Sequence, residues 1–164
     1  MRFCKYCGQT TVKTDTVNKP KLARTETNPN LDSSLIGQFK KYKIHTLTDT
    51  IKADLNGDKV FEISYFADND TKKGIIIVDG QTKKQTNVGL DKSFGDMGID
   101  FSWVDFWGTT GDTETYEVTI KDSEVVGDRK IKLDNTSLFL RKDEVGGGVI
   151  TFKNGKYIWI HQSD

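Results

Sequence analysis

Between residues 54 and 62 the chain reads Asp54-Leu55-Asn56-Gly57-Asp58-Lys59-Val60-Phe61-Glu62. Oxygen-bearing side chains recur at every second position, at Asp54, Asn56, Asp58 and Glu62, and Val60 fills the gap in the series with a main-chain carbonyl. Hard cations such as Ca2+ take several oxygen ligands at once, and a tight turn with alternate acids can wrap around one ion. The segment is a candidate Ca2+ loop, with Asp54, Asn56, Asp58, Glu62 and the Val60 carbonyl as ligands. It is not an EF-hand. The sixth position is Lys59 where Gly is expected, the twelfth is Tyr65 where Glu is required, and no helical pattern flanks it. The competing reading is a two-residue hairpin on Asn56-Gly57 with no metal. That register sets Ala53 against Val60 and Ile51 against Glu62, so the apolar faces of the two strands point in opposite directions. A half-buried hairpin avoids this, and a longer loop ending near Glu62 removes the conflict.

Three other groups carry weaker chemistry. In Phe101-Ser102-Trp103-Val104-Asp105-Phe106-Trp107, a strand would place Phe101, Trp103, Asp105 and Trp107 on one face. Trp103 and Trp107 would then stack on a sugar while Asp105 accepts its hydroxyl hydrogens, although core strands share the pattern. Cys4 and Cys7 have the spacing of half a zinc knuckle, but a structural zinc site takes four ligands and no further cysteine follows. The same region, Tyr6-Cys7-Gly8-Gln9-Thr10, also reads as the end of a bacterial export signal, which points to the periplasm or the cell exterior, with the cytoplasm as the alternative. No nucleophile elbow, metalloprotease, phosphate-loop or dinucleotide fingerprint is present, and no residue is assigned a catalytic role. The enzymatic alternative is a small hydrolase or lyase built on scattered carboxylates and His161.

The elements that must position these groups are short. With 164 residues the chain suits one domain. Its 24 basic and 24 acidic residues cancel, which disfavours nucleic acid, whose phosphates call for a basic surplus. No apolar run is long enough to span a membrane. A protein or a carbohydrate remains as the expected partner. From Thr10 to about Ser34 the sequence is polar, with Pro20 and Pro29 and no apolar period, so residues 1–35 are expected to form a flexible tail and 36–164 the folded domain. A short amphipathic turn around Leu35 and Ile36 is expected to begin that domain.

Past Phe39, β-rich runs alternate with turn residues: 42–47, 51–54, 61–66, 74–78, 101–107, 116–120, 130–133, 137–141, 149–153 and 156–161. None keeps a helical period. The fold class is therefore all-β, an antiparallel sheet domain of sandwich, barrel-like or partial propeller type. Asn154-Gly155 predicts a two-residue type I′ turn pairing Phe152 with Tyr157, Ile150 with Trp159 and Gly148 with His161. Both faces of that hairpin are apolar, which suits a sheet covered on both sides, the alternative being that its aromatic face is a binding surface. Gly146-Gly147-Gly148, with no helix after it, reads as a bend or a close backbone approach.

The Asp54–Glu62 segment resembles the calcium loop of FG-GAP and VCBS-type β repeats, in which one strand enters an Asp-x-Asn-Gly-Asp loop and another leaves it. The resemblance covers the loop and its flanking strands and departs from the pattern at Lys59, which is normally Gly. It implies a bound Ca2+. Such repeats build multi-bladed propellers, for which this chain is too short. The C-terminal two-thirds also resembles small proteins of Bacteroidetes-type bacteria, which implies no activity. The preferred expectation is a non-enzymatic, exported, calcium-stabilised β domain that binds a glycan or a protein. A purely structural module without metal is the remaining alternative.

Overall fold

The computed structural model describes residues 39–162, so the expected tail and the turn at Leu35-Ile36 lie outside the described residues. The described chain is nearly all β, as expected, with its strands in three antiparallel sheets and no closed barrel. The first sheet has five strands: β1 (Tyr42–His45), β6 (Phe106–Thr110), β9 (Ser137–Lys142), β10 (Gly146–Lys153) and β11 (Lys156–Gln162), in the order β1-β6-β9-β10-β11. The second is a meander of β2 (Ile51–Ala53), β3 (Glu62–Asp68), β4 (Lys73–Val78) and β5 (Gln85–Gly89). A separate hairpin pairs β7 (Glu114–Lys121) with β8 (Glu124–Lys132). No helix among the described residues is long and apolar enough to cross a membrane.

Period-two alternation explains how the sheets meet. Ile51, Ile75, Ile77 and Val88 of the second sheet share one core with Trp107, Leu138, Leu140 and Ile150 of the first. Phe66 of β3 meets Trp107 of β6 edge to face, at 4.9 Å between ring centroids. The opposite face of the first sheet is covered too. Phe39 stacks on Phe139 at 5.0 Å, and the Arg141 guanidinium lies 5.4 Å from the Phe39 ring. Gln162 accepts from Arg141 at 2.6 Å and donates to the Tyr116 carbonyl at 3.1 Å, tying β11 to β7. The two apolar faces of the C-terminal hairpin are thus both covered, and its register is the one expected from Asn154-Gly155. Both turn residues have positive φ, 51° and 78°, as a type I′ turn requires.

Several boundaries differ from the sequence reading: β8 covers Glu124–Lys132 where only 130–133 was expected, and β10 begins at Gly146, so the glycine run is strand and not a bend. Residues 101–105 are not strand: the chain turns there and β6 begins at Phe106. Phe101 and Val104 are nevertheless buried, so apolar content imitated a strand in what is an inward-folded turn. The strand Gln85–Gly89 was hidden by its polar residues Gln85, Thr86 and Asn87, and only Val88 enters the core.

Gly108 shows how close β1, β6 and β9 lie. A β-carbon there would stand 2.1 Å from the Lys43 carbonyl oxygen and 2.5 Å from Phe139 Cζ. Overpacking of this kind costs typically about 1–3 kcal/mol. Gly108→Ala should therefore lower the unfolding free energy by that amount, read as a lower urea midpoint at unchanged slope, and an unchanged midpoint would mean that β1 gives way freely.

Candidate functional site

The 54–61 loop is built around one buried acid. β2 pairs with β3 through Ile51–Ser64, Lys52–Ile63 and Ala53–Glu62, so the long-loop register holds and the tight Asn56-Gly57 hairpin does not form. Glu62 then points to the same face as Ser64, inward, and is 0% exposed. A buried carboxylate demands partners. Glu62 Oε2 accepts the Leu55 and Asn56 main-chain N–H groups at 2.7 and 3.2 Å. Its Oε1 accepts Asn56 Nδ2 at 3.0 Å and the Gly80 N–H at 3.4 Å. With two bonds on each oxygen, the carboxylate bends the loop inward and Leu55 drops into the core.

The other loop acids organise the turn itself. Asp54 accepts the N–H groups of Gly57 and Lys59 at 2.7 and 3.0 Å. Asn56 Oδ1 accepts from Asp58 N at 2.8 Å, and Asp58 Oδ1 from Val60 N at 2.7 Å. Gly57 and Lys59 have φ of 84° and 71°. Glycine reaches that region freely, whereas a side chain there costs about 1–2 kcal/mol.

Sequence reasoning missed a fourth acid. Beyond the last β3–β4 pair, Ile63–Val78, the register sets Asp79 beside Glu62. Carboxylate oxygens of Asp58, Glu62 and Asp79 all lie within 4.8 Å of one another. Asn56 Nδ2 sits among them, 3.3 Å from Asp58 Oδ2, 3.0 Å from Glu62 Oε1 and 3.4 Å from Asp79 Oδ2. Asp79 is held ionised below the ordinary carboxylate value, first by the Thr82 N–H at 2.6 Å and then by the Thr82 hydroxyl at 2.8 Å, against some desolvation. The Tyr157 hydroxyl is pushed well above its usual range by burial first, and then by the charges of Glu62, Asp79, Asp58 and Asp54. The signal for Asp79 was the Asp79-Gly80 turn pair after four apolar residues, and it gains meaning only once the β3–β4 register is known.

The expected aromatic face is divided. Trp107 is 0% exposed and its indole N–H donates to the Thr46 carbonyl at 2.8 Å, so it is core and cannot meet a ligand. Asp105 is exposed, but its Oδ2 accepts the Asp143 N–H at 2.9 Å and braces the β9–β10 turn. Trp103 alone of the three lines a cleft, of about 350 Å3, with Met97, Val145 and Trp159. Asp96, Lys142 and His161 stand in the same cleft, and His161 Nδ1 lies 3.0 Å from Asp96 Oδ2. Asp96 belongs to a 3-10 turn, Gly95–Met97. Cys4 and Cys7 lie outside the described residues.

Set against protein-family models, curated proteins and solved structures, the chain matches none of them.

The geometry makes two substitutions informative in metal-free buffer. Glu62→Gln keeps the shape but loses the charge that receives four N–H groups, and bonds to charged groups contribute about 1.5–3 kcal/mol each. Unfolding free energy should fall by at least one such increment, whereas a neutral result would show that the loop folds without the charge. Lys59→Gly relieves the positive φ and should raise stability by about 1 kcal/mol. A loss there would mean that the lysine side chain contributes more than its backbone costs.

Proposed function

We propose that the chain is a non-enzymatic β domain that holds one Ca2+ at the 54–62 loop and binds a glycan or protein partner in the periplasm or outside the cell. The observation that carries this reading is the convergence of Asp58, Glu62 and Asp79, three carboxylates with oxygens within 4.8 Å of one another. Three carboxylates at that separation offer the several hard oxygens that a divalent cation takes. Among the described residues the group at their centre is the Asn56 amide, a neutral dipole facing three formal negative charges. A divalent cation would supply the missing charge, with Asp58, Asp79 and Glu62 as its acidic ligands and Asn56 yielding its place on Glu62 Oε1. Asp54 acts differently in this reading: it holds the turn rather than the ion.

The φ of Lys59 supports the likeness to FG-GAP and VCBS loops, because it is the glycine conformation at the position where those loops carry Gly. A hydrolase or lyase would rest instead on the His161–Asp96 pair. The cleft residues around that pair supply no hydroxyl or thiol nucleophile.

Thermal unfolding in EDTA and in millimolar Ca2+ tests the metal site. Free ion at about 100 times its dissociation constant adds about 2.7 kcal/mol, or roughly 5–10 °C in Tm for a chain of this size. Asp79→Asn and Asp58→Asn should abolish the rise. The same ion should lower the alkaline titration of Tyr157, followed by phenolate absorbance, by the part that the carboxylate charges contribute, leaving the larger part that burial contributes. Superimposable curves with and without Ca2+, in both measurements, would reduce the loop to a metal-free turn.

A further inference from the structure

The cleft at the opposite end of β11 has the chemistry of a sugar subsite, and we infer that it takes one pyranose ring of a neutral glycan. The inference rests on the binding-module part of the proposed function and is independent of the calcium loop, with which the cleft shares no residue.

The glycine run makes room for Trp159 beside the cleft. Gly146 and Gly147 form part of its wall. A β-carbon at Gly148 would stand 2.4 Å from Trp159 Cζ2 and 2.5 Å from its Cη2, so the six-membered ring of the indole occupies space that any side chain would fill. On the other side, a β-carbon at Gly95 would stand 3.9 Å from Trp159 Cδ1. Trp159 thus lies between the 3-10 turn and the glycine run. Nε1 is buried and has no hydrogen-bond partner among the described residues.

The remaining groups define what that ligand is. Trp103, Trp159, Met97 and Val145 give the cleft an apolar lining for a molecule that has an apolar face. Around them Asp96 accepts, Lys142 donates and His161 does either according to its tautomer. The charges of Asp96 and Lys142 cancel, which suits neither an anion nor a cation. It suits a neutral polyol whose hydroxyls both give and accept hydrogen bonds while its C–H face lies on an indole. The volume, about 350 Å3, is at the small end for ligand pockets and suits one ring of a chain rather than several.

The test uses the full chain and tryptophan emission, with cellotetraose, maltotetraose and chitotetraose titrated to 10 mM, and the neutral peptide Gly-Phe-Gly as the protein-like alternative. Each titration is run in EDTA and in Ca2+. Saturable change with at least one oligosaccharide is expected, in both buffers. Trp103→Ala and Asp96→Asn, checked for an unchanged unfolding midpoint, should each weaken binding by tenfold or more. Saturation with the peptide and with no sugar would overturn the sugar assignment in favour of a protein partner. Sugar binding equally tight in both variants would overturn the location, and silence with every probe would overturn the subsite altogether. Because the EDTA arm removes the metal, failure of the calcium reading leaves each of these outcomes legible.

Discussion

A carboxylate with no exposure to solvent is the constraint around which one end of this protein is arranged. Leaving Glu62 buried without partners would cost more than most single interactions in a domain contribute. The chain meets the demand by bringing N–H groups from three places to it: Leu55 and Asn56 on the loop before β3, the Asn56 side chain, and Gly80 after β4. Those bonds place Leu55 in the core and set the length of the loop at eight residues between Ala53 and Glu62. They also draw the β4–β5 turn, and with it Asp79, against the loop. The acid cluster is thus a consequence of how one buried charge is satisfied.

β11 connects that end of the molecule to the other. Tyr157, Trp159 and His161 alternate along one face of the strand, and each occupies a different environment. Tyr157 feels the loop carboxylates, Trp159 packs against the core and floors the cleft, and His161 meets Asp96 at its rim. Four residues of extended chain span about 13 Å, so one rigid strand indexes the acidic loop and the cleft against each other. The strand is covered by the second sheet on one side and tied to β7 of the β7–β8 hairpin on the other. The hairpin, by contrast, carries Ile120, Val125 and Val126 exposed at its tip, so its own apolar residues do not add to that core.

Local chemistry was legible wherever a neighbour along the chain decided it. Asn154-Gly155 set the β10–β11 register because a two-residue turn with positive φ leaves only one pairing. The clash of apolar faces in a tight Asn56-Gly57 hairpin was enough to reject it, and Glu62 at the end of the longer loop was correct. The all-β class followed from short runs with no helical period. Contacts between distant segments were not legible. Asp79 meets Glu62 through strand pairing, and nothing in residues 75–80 announces an acid partner seventeen residues upstream. Trp103 and Trp107 look equivalent in sequence, yet a turn at 101–105 destroys the alternation that would have put them on one face. One becomes core and the other lines a cleft with Trp159, which lies fifty-six residues further on.

By itself, then, the sequence determined the period of its strands, the turn that closes its last hairpin and the loop that carries its acids, because each depends on torsions and side chains a few residues apart. Tertiary structure decided which aromatic rings are buried, which fourth acid joins the cluster, and that a run of three glycines makes room for Trp159. Those outcomes depend on which surfaces meet across the sandwich, and burial is a property of the assembled sheets that no single strand possesses.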